Sequence, residues 1–181
     1  MTDASRTSLG PTSYIVLGML SQHGPATSYD LKRWVDESVG YFWSFPRSQL
    51  YAEPQRLAAA GLLQEQQEPD GRRRRVYRLT EAGQAALTAW LATPAGSGEL
   101  RDPGLLKLFF APQDDRALQR AIAAEQLSLH QTRLDEYRHI MTVLCGPDEQ
   151  QAAHALRMGL LYEEASVQFW SGLLAEPAPA G

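Results

Sequence analysis

Residues 68 to 80, Glu68-Pro-Asp-Gly-Arg-Arg-Arg-Arg-Val-Tyr-Arg-Leu-Thr80, decide how the first half of this chain is read. Pro69 suits the second position of a type I turn, Asp70 the third, and Gly71 the left-handed residue that follows, so the turn is specified by backbone chemistry and not by polarity alone. The flanking segments, Leu62-Leu-Gln-Glu-Gln-Gln67 and Arg74-Arg-Val-Tyr-Arg-Leu79, read as two antiparallel strands. The result is a β-hairpin with four arginines behind its tip.

Working outward, three helices precede the hairpin and one follows it. Thr12 can cap a first helix in which Tyr14, Ile15, Val16, Leu17, Met19 and Leu20 cover nearly every side, until His23-Gly24-Pro25 stops it. A second starts at Thr27-Ser28, carries Tyr29, Leu31, Trp34 and Val35 at helical spacing, and ends near Gly40. A third runs from about Ser48 to Ala60, with Leu50, Tyr51 and Leu57 apolar and Gly61 as its C-cap. Thr80 caps the fourth, which has Glu81 in its first turn and carries Leu87, Trp90 and Leu91 up to Pro94. Helix, helix, helix, hairpin, helix is the order of a winged helix-turn-helix domain, with the hairpin as wing and Ser48–Ala60 as the helix that enters a major groove.

In that setting the arginines acquire a use. An arginine run on an arbitrary surface is most often a solvated cluster that protects a sheet edge. A duplex, however, presents one negative charge per about 1.7 Å of axis, and a protruding hairpin bearing Arg72, Arg73, Arg74 and Arg75 can sit over phosphates and release counterions. Strand alternation points Arg73 and Arg75 one way and Arg72 and Arg74 the other, so half of the cluster meets any one backbone. Such a grip is blind to sequence. Reading falls to Ser48, Gln49, Gln55 and Arg56 on or near the third helix, since Arg and Gln form bidentate hydrogen bonds to base edges.

The segments Tyr14-Ile-Val-Leu-Gly-Met-Leu20, Gly24-Pro-Ala-Thr-Ser-Tyr-Asp-Leu31, Ser48-Gln-Leu-Tyr51, Arg56-Leu57, Gly61-Leu62 and Arg75-Val-Tyr-Arg-Leu-Thr-Glu-Ala-Gly83 together resemble the PadR family of bacterial transcriptional regulators. The resemblance covers nearly the whole N-terminal domain. It implies a dimeric regulator of double-stranded DNA, mostly a repressor, whose DNA is in some members released by a small aromatic or drug-like ligand. It adds Ser28, Tyr29 and Tyr51 to the residues expected at DNA. One departure stands out: the family's third helix usually reads Tyr-Pro-Ala-Leu, whereas this chain has Tyr51-Ala-Glu-Pro54. A proline inside a helix removes one hydrogen bond and clashes with the carbonyl four residues back, at about 3 kcal/mol, unless it sits in the first turn. Either the regular helix begins near Glu53 or it kinks there.

The second half differs in charge and in period. Residues 1–94 carry ten basic and nine acidic side chains, whereas residues 95–181 carry seven and twelve, within a chain of net charge -4. The arginines' role is therefore not shared by the second half. A helical pattern begins at Pro112-Gln-Asp-Asp115 and runs to about Leu144; another begins at Pro147-Asp148 and ends near Leu174. In the latter, Ala153, Leu156, Leu160, Glu163, Val167, Trp170 and Leu174 alternate spacings of three and four, a coiled-coil seam broken only by Glu163. Leu161, Tyr162, Ala165, Phe169 and Leu173 add apolar surface beside it. The former carries Ile122, Leu127, Leu134, Tyr137, Met141 and Leu144, a stripe interrupted by His130. One face packs on its own chain and another is left for a second subunit, so this half is expected to dimerise. A symmetric dimer calls for an inverted-repeat operator. The resemblance extends here too, to the C-terminal helical domain of the longer PadR proteins, with Arg101–Phe110 as a short connecting helix.

The expected organisation is a mainly α chain: residues 1–10 disordered, 11–94 the winged helix-turn-helix domain, 95–99 a linker, 100–175 the helical dimerisation domain, and 176–181 a disordered tail. Trp34, Phe109, Phe110, Phe169 and Trp170 are candidates to line an effector pocket, although aromatic residues, Trp43, Phe45 and Tyr137 among them, are as a rule core. Glu163 and Glu164 are helix neighbours pointing apart, with no nucleophile nearby, so no enzyme is expected. His23, His130, His139 and His154 lack His-x-x-x-His spacing, which argues against metal, and no cofactor is implied. A single cysteine, Cys145, excludes an intramolecular disulfide framework and fits a reducing compartment. With neither a signal-like leader nor an apolar run near 18 residues, a cytoplasmic protein is expected. The competing reading keeps the winged helix but uses it on a protein partner, and it differs from DNA binding in lacking a steep salt dependence on duplex.

Overall fold

The computed structural model describes residues 8–46, 48–67, 74–143 and 150–176. The chain divides into two compact units, Met1–Gly96 and Ser97–Gly181. The fold is mainly helical with one small antiparallel sheet.

In the first unit the elements run α1 (Pro11–His23), β1 (Ala26–Thr27), α2 (Ser28–Asp36), a 3-10 turn over Val39–Tyr41, α3 (Gln49–Ala59), β2 (Leu63–Gln67), β3 (Arg75–Leu79) and α4 (Glu81–Leu91). α1, α2 and α3 enclose a core of Val16, Leu17, Leu20, Leu31, Val35, Leu50 and Leu57, completed by Leu63, Tyr77 and Leu87. Each such aliphatic side chain contributes about 1.5–3 kcal/mol by leaving water, which is why the short helices persist. Tyr14 of α1 stacks flat on Trp90 of α4, with ring centroids 4.4 Å apart. The sheet order is β1-β3-β2, with Leu63 opposite Leu79 and Gln67 opposite Arg75.

Local chemistry accounts for the boundaries. α1 starts at Pro11 with Gly10 as its N-cap, earlier than the expected Thr12 cap, because proline at the first helical position is already set for the helix. Ser13 Oγ accepts from the Gly10 N–H at 3.0 Å. Leu9 packs on the core, so order begins inside the stretch expected to be a loose tail. α2 is held by a capping box: Thr27 Oγ1 accepts from the Asp30 N–H, and Asp30 Oδ2 accepts from the Thr27 N–H at 3.1 Å. It ends at Asp36, short of the expected Gly40, because the chain tightens into the 3-10 turn. β1 was not expected. It is two residues long, too short for any periodicity, yet it pairs Ala26 with Tyr77 and Thr27 with Val76.

α3 runs from Gln49 through Pro54 to Ala59, which excludes a start near Glu53. Pro54 is buried, so its ring serves as core packing where its missing N–H costs a bond. The helix closes on Gly61 at φ 75°, with Leu62 N–H donating to Leu57 O and Gly61 N–H to Ala58 O, the paired bonds of a Schellman end. Thr80 caps α4 by accepting from the Gly83 N–H at 3.1 Å, while its own hydroxyl donates to the carbonyls of Gly61 and Leu62. A Cβ on Gly83 would lie 2.2 Å from Leu62 O, so only glycine fits the last position of the Leu-Thr-Glu-Ala-Gly stretch. The turn residues Pro69, Asp70 and Gly71 lie outside the described residues.

The second unit comprises α5 (Pro103–Phe110), α6 (Arg116–Val143) and α7 (Gln150–Ala175). Asp102 caps α5 through Oδ1, which accepts from the Gly104 and Leu105 N–H groups. α6 begins four residues later than its expected start at Pro112, because Asp115 Oδ1 caps it by accepting from the Leu118 N–H. α6 and α7 pack antiparallel: Arg120 reaches Leu174 O at 2.7 Å, His130 meets Glu163, and Tyr137 meets Gly159. Glu176, placed at the start of the expected tail, approaches Arg116 at 3.7 Å. Cys145, Leu144, Pro147 and Asp148 lie outside the described residues, among which no helix is long and apolar enough to cross a membrane.

Candidate nucleic-acid interface

α3 buries Leu50, Pro54 and Leu57 on one face and turns the opposite face outward. That outward face carries Ser48, Gln49, Tyr51, Ala52 and Gln55. Tyr51 keeps 51% of its surface exposed, the side chain best placed to project from the start of the helix. The Gln55 amide also reaches the Tyr77 hydroxyl, which ties α3 to the central strand of the wing sheet.

Arg56 stands apart from these residues. Its Nε donates to Glu53 Oε2 at 2.9 Å, and one terminal nitrogen donates to Glu53 Oε1 at 2.6 Å and to Ser13 Oγ at 3.0 Å. Ser13, buried in α1, donates its own hydroxyl to Glu53 Oε1 at 2.6 Å. Nearby, Thr12 Oγ1 donates to Gln49 Oε1 at 2.7 Å. The guanidinium of Arg56 holds the Glu53 carboxyl below its ordinary range, with Ser13 adding to the effect and partial burial opposing it. The same pair raises the Arg56 pKa. Thr12, Ser13 and Glu53 link α1 to α3, and sequence reasoning did not single out these links. Only the Glu53–Arg56 spacing of three could have announced any of it.

At the wing, Arg75 leaves the sheet on the same side as Tyr77 and meets Glu65 at 3.3 Å. Burial, and next the Glu65 charge, push the Tyr77 phenol up. Arg74 is exposed, and its charge reaches Asp30 at the start of α2. The Asp30 carboxyl is held down first by the hydrogen bond from the Thr27 hydroxyl, then by the Thr27 backbone and by Arg33 and Arg74, against partial burial. At the α2 N-terminus Ser28 is half-buried and Tyr29 exposed. Arg72 and Arg73 lie outside the described residues. Arg78, not singled out from sequence, is a further exposed cation on β3.

In the second unit the predicted seam faces its own chain. Leu134 and Tyr137 of α6 and Leu156 and Trp170 of α7 are buried, with Leu127, Met141, Leu160, Val167 and Leu174 partly so. The two interruptions of the apolar stripes meet each other, His130 Nδ1 and Glu163 Oε2 lying 2.5 Å apart. Outward from this seam, Met158, Leu161, Tyr162 and Phe169 are exposed. Burial raises the Tyr162 phenol, and the charges of Asp102 and Glu163 add to it. The aromatic candidates for a pocket have different surroundings. Trp34 packs on the first unit's core beside His23, Trp170 is enclosed with Ile122 and Ala123, Phe169 lies edge-on to it, and Phe109 and Phe110 stand exposed.

Two family models match the chain: the Transcriptional regulator PadR-like family over residues 16–89 and Virulence activator alpha C-term over residues 100–176. The Negative transcriptional regulator PadR of Bacillus subtilis is 29% identical over 126 residues, covering 68% of this chain and 69% of that protein. The crystal structure of Bacillus subtilis PadR in complex with operator DNA is similar with a TM-score of 0.80 at 25% identity, covering 91% of this chain and 97% of that one. The same protein in complex with p-coumaric acid is similar with a TM-score of 0.74 at 25% identity, covering 93% and 97%.

Proposed function

Because this chain belongs to the PadR-like family of transcriptional regulators, we propose that it binds a double-stranded operator through α3 and the wing and acts as a homodimeric repressor. The observation that carries the reading is the outward face of α3. Ser48 at the N-cap and Gln49, Tyr51 and Gln55 on the helix are exposed hydrogen-bonding side chains, and Arg74 and Arg75 are exposed at the root of the wing. Arg72, Arg73, Arg74 and Arg75 grip phosphates, and Ser28 and Tyr29 at the α2 N-terminus approach the same backbone.

The homodimer forms through the second unit. Leu127, Leu134, Tyr137, Met141, Leu156, Leu160, Val167, Trp170 and Leu174 hold the α6–α7 pair together. A second stripe on α7, formed by Met158, Tyr162, Ala165 and Phe169 at spacings of four, three and four, meets the partner. Two copies related by a two-fold axis require an inverted-repeat operator. A small aromatic effector, by analogy with the p-coumaric acid complex of the Bacillus subtilis protein, releases the DNA, with Trp34, Phe109, Phe110, Phe169 and Trp170 the residues to probe first. The protein works in the cytoplasm, without a cofactor.

Selection of duplexes from a random library by the purified protein tests the reading. Enrichment of an inverted repeat, protected on both half-sites in footprinting, is expected; enrichment of nothing, or protection of one half-site by a monomer, would contradict it. Phe169→Glu should leave a folded monomer that binds the repeat at least tenfold more weakly, as sedimentation and anisotropy would record.

A further inference from the structure

We propose that Glu53 and Arg56 are positioning residues: together with Ser13 they clamp α3 onto α1 and set the pitch at which α3 meets DNA, so that Arg56 itself reads no base. The inference rests on the DNA-binding reading above and deepens it. Arg56 is the only basic residue among the described residues of α3, and from sequence it is the natural candidate for a bidentate contact to guanine. Three of its five N–H donors are already engaged. Two go to the two oxygens of one carboxylate and one to Ser13, in the fork geometry that makes Arg–carboxylate pairs strong and directional.

The carboxylate is not a surface acid caught in passing. Glu53 keeps only 13% of its side chain exposed and accepts a third bond from the buried Ser13 hydroxyl, so without Arg56 it would be a poorly solvated charge. Pro54, directly after Glu53, deprives α3 of one backbone hydrogen bond. The Ser13–Glu53 bond supplies, at the adjacent position, a side-chain link from α3 to α1. Thr12 to Gln49 makes a second link between the same two helices. With Arg56 held inward, base reading is left to the neutral side chains of Gln49, Tyr51 and Gln55, and positive charge at the interface is left to the wing.

The test uses the full-length protein and the duplex it selects, with Arg56→Gln, Glu53→Gln and the double variant. A clamp predicts that each single variant binds the operator about tenfold more weakly and that the double is no weaker than either. The loss should spread over several base pairs of a substitution series, with the slope of log affinity against log salt unchanged. Arg56→Lys, which keeps the charge but not the fork, should recover only part of the loss. If Arg56 instead touched DNA, Glu53→Gln would bind as tightly as wild type or tighter, and Arg56→Gln would either relax one base pair or lower the salt slope by about 0.9. That pattern would overturn the clamp. Amide hydrogen exchange without DNA supplies an independent reading, with both single variants expected to exchange the amides of residues 51–59 at least tenfold faster. Unchanged exchange would overturn the clamp whatever the DNA result. If wild type selects no duplex, the DNA-binding reading fails by itself and the clamp is judged by exchange.

Discussion

The contact between α1 and α3 and the contact between α6 and α7 handle polar side chains in opposite ways. In the first unit the hydrophobic cluster is made of apolar side chains and Tyr77, and the polar links, Thr12–Gln49 and Ser13–Glu53–Arg56, lie beside it, with Ser13 buried and Arg56 reaching water. In the second unit the polar pair sits in the seam itself, with Glu163 buried between turns of Leu160 and Val167 and matched by His130 across the helix pair. The first-unit links cost less desolvation, because Arg56 keeps part of its surface in water, and they fix an orientation. A seam pair costs more and fixes a register, since sliding α7 by one turn would leave both groups buried without partners.

The largest effect should come from breaking the seam pair on one side only. Glu163→Ala strands His130 and is expected to cost the second unit about 3–5 kcal/mol in urea unfolding, whereas a His130→Leu, Glu163→Leu double variant should be about as stable as wild type or more so. A double variant as unstable as the single would mean that the seam is held by something other than this pair.

The first unit should respond most to packing. Gly83→Ala drives a Cβ into Leu62 O and should cost about 1–3 kcal/mol, the usual price of overpacking. Thr80→Ala removes the α4 cap and the bonds to Gly61 O and Leu62 O, for a loss near 1 kcal/mol. Thermal unfolding of the two side by side checks their order.

The smallest effect is in pH. Glu53 has its folded pKa lowered, so its contribution is fully present above about pH 4.5 and disappears as the pH falls through the lower folded value. Wild type should therefore lose stability on acidification below pH 4.5 in a component that Glu53→Gln lacks. Parallel curves for the two proteins would deny the clamp any electrostatic part.

How much of this was legible in the sequence follows from the range over which each interaction acts. Gly61 and Thr80 announced themselves because a C-cap and an N-cap are specified within a few residues. The strands Leu63–Gln67 and Arg75–Leu79 were likewise legible from residues close in sequence. β1 was not, since two residues carry no period and Tyr77, the partner of Ala26, lies fifty-one positions away. His130 and Glu163 were each visible as a flaw in an apolar stripe. That the two flaws answer one another needed the register of α6 against α7, which no single helix contains. Arg56 was legible as a candidate base reader, but its bond to Ser13, forty-three residues earlier, lay beyond any local pattern. The apolar stripe of α7 was legible as a stripe, but that it packs against α6 of its own chain was not.

The central claim, that α3 and the wing form a DNA-binding surface, is tested most directly by fluorescence anisotropy of the protein on a selected duplex across a salt series, beside an Arg74→Ala, Arg75→Ala variant. Saturable binding that weakens steeply with salt, with a log-log slope shallower by about 0.9 for each phosphate contact removed in the variant, is the predicted result. Binding that is indifferent to salt, or a variant with the slope and affinity of wild type, would contradict it.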